Sequence, residues 1–131
     1  MCTGILTPVI APSSRIGVER VDSVLAVIDV EGEHDLNTAG AFRETLTGLL
    51  GEKVSIVVDL ARASFVDSSI LALLLEGHRE CEEAGLGFAV SVPDDTAVGV
   101  RRVIEVTGLN GAIAIRRSRD QAAEAARTEA S

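Results

Sequence analysis

The residues of this chain best placed to do chemistry are Asp67, Ser68 and Ser69. They stand where a β-type apolar run, Val57-Val58-Asp59-Leu60, gives way through a short loop to a strongly apolar helical segment. A hydroxyl in the first turn of a helix lies among backbone N–H groups without intrahelical partners, at the positive end of the helix dipole. Such a place accommodates a phosphate well. A serine there serves as a helix cap, as a modification site, or as both. A second polar segment, Glu31-Gly32-Glu33-His34-Asp35, follows another β-type run and precedes Asn37 and Thr38.

Catalytic arrangements find little support. The two histidines, His34 and His78, fall in that polar segment and in the middle of an apolar helix. No serine sits in a G-x-S-x-G elbow, and no P-loop or G-x-G-x-x-G follows a strand. Glu80, Glu82 and Glu83 read as a solvated helix face. Asp67 follows a strand as the phospho-accepting Asp of a receiver domain does. A receiver also needs an acidic pair for Mg²⁺ and a lysine after its last strand, and the one lysine here is Lys53. The chain reads as a non-enzyme with no metal and no cofactor.

Composition narrows the partners. A net charge of −8 argues against nucleic acid and anionic membrane surfaces, which both call for a basic face. With no Trp or Tyr and three Phe, stacking on bases is nearly excluded. No apolar run approaches the roughly 18 residues of a membrane span, and Pro8 and Pro12 interrupt the N-terminal aliphatics, unlike a signal peptide. Cys2 and Cys81 form no CxxC pair, and Cys81 reads as a small core residue. These features point to a cytoplasmic protein that meets other proteins.

The elements that must position Asp67-Ser68-Ser69 follow from periodicity. Residues 1–15 read as a flexible tail whose aliphatics are available for docking. Strands are expected over 16–21 and 24–30, close enough for a hairpin. After the polar loop 31–35, Asn37 or Thr38 caps a helix over 38–50 with Phe42, Leu46, Leu49 and Leu50 inside, closed by Gly51. A strand over 54–60 and a helix over 68–84 follow, the latter ended by Gly85. Next come a strand over 87–92 and a helix over about 94–107. That helix starts at Pro93-Asp94-Asp95, carries Val98, Val100, Val103 and Ile104 inside, and stops at Gly108. Ala112 to Ile115 is a short last strand. Ser118-Arg119-Asp120-Gln121 has capping-box spacing and opens an Ala-rich helix that frays over 127–131. The order β-β-α-β-α-β-α-β-α implies an α/β fold, a mixed sheet of four to five strands with helices packed on it.

That order, together with Gly32-Glu33-His34-Asp35, Thr38-Ala39, Phe65-Val66-Asp67-Ser68-Ser69 and Thr107-Gly108-Leu109, resembles a STAS domain. More narrowly it resembles the bacterial anti-sigma factor antagonists, over residues 16–126. The resemblance implies that Ser68 is the residue phosphorylated by a partner that is both serine kinase and anti-sigma factor. It implies that Asp35, Thr38, Asp67, Ser68 and Ser69 face that partner. It further implies a phosphatase that restores the unphosphorylated form, and a monomer or weak homodimer. The family usually has Gly after the two hydroxyl residues, where this chain has Ile70. A STAS module that does not switch, acting as a scaffold subunit or ligand sensor, is the alternative.

Overall fold

The computed structural model describes residues 14–130, so the expectation that tail aliphatics dock falls largely on positions outside the described residues. The hairpin is β1 (Arg15–Asp22) and β2 (Leu25–His34). Helix α1 (Leu36–Gly51), β3 (Ser55–Val66), α2 (Ser68–Glu83) and β4 (Phe88–Ser91) follow. Helix α3 (Val98–Thr107), a 3₁₀ turn at Leu109–Gly111, β5 (Ala114–Arg116) and α4 (Arg119–Glu129) complete the order.

The strands lie in chain order, β1-β2-β3-β4-β5, with β1 antiparallel and the rest parallel. Each parallel connection steps in the same direction. Right-handed crossovers then place their helices on one face of the sheet, and α1, α2 and α3 share one core with Ala26, Ile28, Val30, Ile56, Val58, Leu60, Phe88 and Val90. Helix α4 crosses to no further strand and packs on the other face, where Ala122 and Ala126 meet Leu25, Val27, Val57 and Ala89. Burial on both faces explains why β2 and β3 read as continuous apolar runs instead of alternating ones.

Two details hold α4 in place. Gly87 has no room for a side chain, since a Cβ there would lie 1.7 Å from the Ala126 carbonyl oxygen. Arg119, at the start of α4, reaches three strands: it donates to Glu19 of β1 at 2.8 Å, Asp29 of β2 at 2.5 Å and Asp59 of β3 at 3.0 Å. Asp29 and Asp59 are register partners. One guanidinium therefore answers a side-by-side pair of carboxylates, the nearly buried Asp59 among them.

Several boundaries differ from the sequence expectation. The polar segment 31–35 is not a loop: β2 runs on to His34 because Glu31, Gly32, Glu33 and His34 pair with Arg62, Ala63, Phe65 and Val66. The expected loop after Leu60 is likewise strand, up to Val66. Parallel pairing satisfies the backbone here, so the polar composition does not end the strands. Helix α1 starts at Leu36, capped by Asp35 and not by Asn37 or Thr38, and it closes through Lys53 (φ 62°) instead of Gly51. Pro93-Asp94-Asp95 forms a turn, with the Thr96 amide donating to the Pro93 carbonyl at 3.0 Å, and α3 begins only at Val98. Val98 is therefore an exposed first-turn residue and not part of the core. Gly108 ends α3 as expected, in the left-handed conformation at φ 72°.

Candidate functional site

The site is built where β2 and β3 end side by side. His34 and Val66 are the last register pair of the two strands. The next residue on each chain, Asp35 and Asp67, leaves the strand in extended conformation and caps a helix. Short acidic side chains suit this task because their oxygens reach back to the free N–H groups of the first turn.

Asp35 accepts from the Asn37 amide at 2.9 Å. Thr38, half-buried, completes the box: its hydroxyl lies 3.2 Å from both the Asp35 amide and the Asp35 carbonyl. His34 lies beneath, 1% exposed. Its Nε2 donates to the Glu31 carbonyl at 2.8 Å, and its Nδ1 is 3.0 Å from the Thr38 hydroxyl. A carbonyl only accepts, so in the neutral ring Nε2 carries the hydrogen and Nδ1 accepts from Thr38. With both nitrogens engaged, His34 orders the junction and is not free to act as a base. Its burial was readable in retrospect. Residues 26, 28, 30, 32 and 34 are all buried, the period of two continued through the polar segment.

Asp67 accepts from the amides of Ser69 at 2.9 Å and Ile70 at 3.4 Å, and from the Ser69 hydroxyl at 2.5 Å. Chiefly the Ser69 hydroxyl, helped by the Ile70, Ser69 and Leu36 amides, holds the Asp67 carboxyl below the usual carboxylate range against the opposing effect of burial. The two neighbouring serines are thereby divided. Ser69 is half-buried with its hydroxyl committed to Asp67. Ser68 is exposed, and its hydroxyl makes no hydrogen bond among the described residues. Ile70 is buried in the core in ordinary helical geometry, its amide 3.1 Å from the Asp67 carbonyl. Among the described residues only Lys53 is a non-glycine with positive φ, so nothing in the backbone at position 70 requires Gly.

Two exposed apolar side chains border the acids and were not singled out as site residues from the sequence. Leu36 is 76% exposed at the first position of α1, and Phe65 is 49% exposed at the end of β3. Beside them runs a groove of about 350 Å³ between α1 and α2, lined by Leu36, Ala39, Ser69, Ala72 and Leu73 and bordered by the Arg43–Glu76 pair at 2.8 Å. Among the described residues no three His, Cys, Asp or Glu side chains are placed to hold a metal ion. Among the described residues no helix is long and apolar enough to cross a membrane. The arrangement offers an exposed hydroxyl, two carboxylates and an apolar border.

A family model described as "Mlab, STAS domain" matches residues 17–117. The chain belongs to the STAS domain family. A structure of an anti-sigma factor antagonist from Mycobacterium paratuberculosis is similar to this STAS domain at 28% identity and a TM-score of 0.77, covering 89% of this chain and 97% of that one. The anti-sigma factor antagonist SpoIIAA in its unphosphorylated form is similar at 27% identity and a TM-score of 0.70, over 87% and 97%. A sulfate transporter family protein from Wolinella succinogenes shares the fold at 18% identity and a TM-score of 0.63, over 85% and 91%. Comparison with curated proteins finds no significant match.

Proposed function

We propose that this STAS domain is an anti-sigma factor antagonist switched by phosphorylation at Ser68. Unphosphorylated, it binds a serine-kinase anti-sigma factor through Asp35, Thr38, Asp67, Ser68 and Ser69 and so frees a sigma factor. The partner transfers phosphate to Ser68 and binding ends; a phosphatase restores it. The ATP belongs to the partner, and the domain itself is no enzyme.

The observation that carries this reading is the inequality of the two serines. Ser68 presents an exposed hydroxyl at the first position of α2, while the Ser69 hydroxyl is held by Asp67. The likeness to two anti-sigma factor antagonists at 27% and 28% identity supports the role. The physical chemistry of the place supports the switch. A phosphate adds about −1.5 to −2 charge at pH 7, which a helix N-terminus tolerates. The same charge, set beside Asp67 and near Leu36 and Phe65, opposes a partner docking on that surface by repulsion and desolvation. The test is incubation with a kinase-type anti-sigma factor and ATP, followed by mass spectrometry of the peptide containing Ser68. Label on Ser68, absent from Ser68→Ala, is expected. Label on Ser69, or none while a partner still binds, overturns the switch and leaves a constitutive binding module. That second reading has one observation of its own, the buried Ile70 where the family usually has Gly.

A further inference from the structure

At the ends of β4 and β5 a crevice of about 280 Å³ opens against α3, and Arg101, Arg116 and Arg117 all line it. The chain carries a net charge of −8 and 12 basic residues in all, so three arginines in one crevice is a concentration. We propose that this crevice binds a small hydroxylated phosphate ester. The proposal is independent of Ser68.

The arginines are held without being neutralised. Arg101 Nε donates to the Thr96 carbonyl at 3.0 Å, which anchors the side chain and leaves its two terminal nitrogens free of partners among the described residues. Arg116 Nη1 donates to the Ile115 carbonyl at 3.1 Å. Arg117 Nε lies 3.7 Å from the Asp94 carboxylate, a long and solvated contact. By contrast, Arg20 and Arg119 are closed by carboxylates at 2.5–3.0 Å. A guanidinium with free N–H groups fits phosphate oxygens in a fixed fork.

The remaining lining narrows the ligand. Asp94, Glu105 and Asn110 add oxygen acceptors, which suit hydroxyl groups next to the phosphate. No aromatic ring lines the crevice, and its volume falls just below the roughly 300–1,000 Å³ of drug-sized sites. A nucleoside therefore fits poorly.

The experiment titrates the ¹⁵N-labelled full chain with glycerol 3-phosphate, inorganic phosphate and, at matched ionic strength, sodium chloride. Saturable amide shifts confined to Val92, Asn110, Arg116, Arg117 and their neighbours are expected with glycerol 3-phosphate. Inorganic phosphate should bind more weakly at the same amides, and chloride should not reproduce the pattern. Arg116→Gln and Arg117→Gln change exposed side chains and leave the fold intact. Together they should weaken binding at least about tenfold, the order expected for losing one charge-assisted contact. Arg79→Gln, outside the crevice, should not. Shifts that do not saturate, that match chloride, or that survive Arg116→Gln/Arg117→Gln would overturn the proposal. Equal affinity for inorganic phosphate and glycerol 3-phosphate would overturn the assignment of a hydroxylated ester.

Discussion

Asp35 and Asp67 are the next residues after one register pair, His34 and Val66, so two adjacent parallel strands deliver two helix caps to the same edge of the sheet. The Leu36 amide, next after Asp35, also helps to lower the Asp67 carboxyl, as the smallest of its causes.

Loss of the Asp67 cap separates structure from switching. Asp67→Ala should cost about 1 kcal/mol of stability, the usual cost of removing an N-cap, and should free the Ser69 hydroxyl. Ser68→Ala, at an exposed side chain, should cost far less. A urea midpoint equally lowered by both substitutions would show that Ser68, and not Asp67, holds the helix start.

Acid should weaken the fold through the same carboxyl. Asp67 is held below its ordinary value, chiefly by the Ser69 hydroxyl, and Asp22 and Glu52 are lowered too, by the Val24 amide and by Arg20 respectively. The unfolded chain then binds protons more readily than the folded one, and stability rises with pH in that range. The contribution is present above the ordinary carboxylate range and is lost as pH falls through the lowered folded-state values. Asp67→Asn keeps a capping side chain but cannot titrate. It should flatten the fall in urea midpoint between pH 5 and pH 3, on the order of the usual carboxylate range. An unchanged slope counts against the Asp67 contribution.

Leu74 is fully buried in the middle of α2. Leu74→Ala should cost about 2–5 kcal/mol, from lost transfer free energy and the cavity left behind. Against a total of about 5–15 kcal/mol for a domain, thermal denaturation should show a large drop in Tm. An unaltered Tm would place Leu74 at the surface.

Gly87 and Ala126 touch backbone to backbone. Gly87→Ala must push α4 off the sheet, because the added Cβ meets a carbonyl oxygen and not a movable side chain. A loss of at least about 1–3 kcal/mol is expected, with faster amide exchange concentrated in α4. Exchange unchanged in α4 would contradict the close approach.

The Cys81 thiol is pushed up to about 12 by burial, with smaller effects of Glu80 and Glu129. In a Cys2→Ser background, a thiol reagent at pH 8 should react slowly with the folded chain and rapidly in denaturant. A raised thiol means that the folded state holds its proton more tightly. Its contribution is full below the unfolded value of about 8.5 and is lost as pH rises toward the folded one. Rapid reaction of the folded chain would show that Cys81 is accessible.

The sequence by itself determined the element order, the helix over the Ser68 region and the pairing of acid with hydroxyl at its start. Those features are local: apolar spacing, capping residues and Gly stops act within a few residues of one another. Tertiary structure decided where strands end and which side chains face inward. Glu31 to His34 look like a loop and Ala61 to Phe65 like a linker, until each supplies the other's parallel hydrogen bonds. Distant pairing overrides local polarity because a backbone N–H satisfied across a strand no longer needs water. The strand order and the crossing of α4 to the far face likewise rest on residues distant in sequence, and the clamp of Arg119 on Glu19, Asp29 and Asp59 spans 60 to 100 positions. For the two serines, the resemblance singles out Ser68, while residue type alone treats Ser68 and Ser69 alike. The fold adds the physical difference, giving Asp67 the Ser69 hydroxyl and leaving Ser68 to solvent.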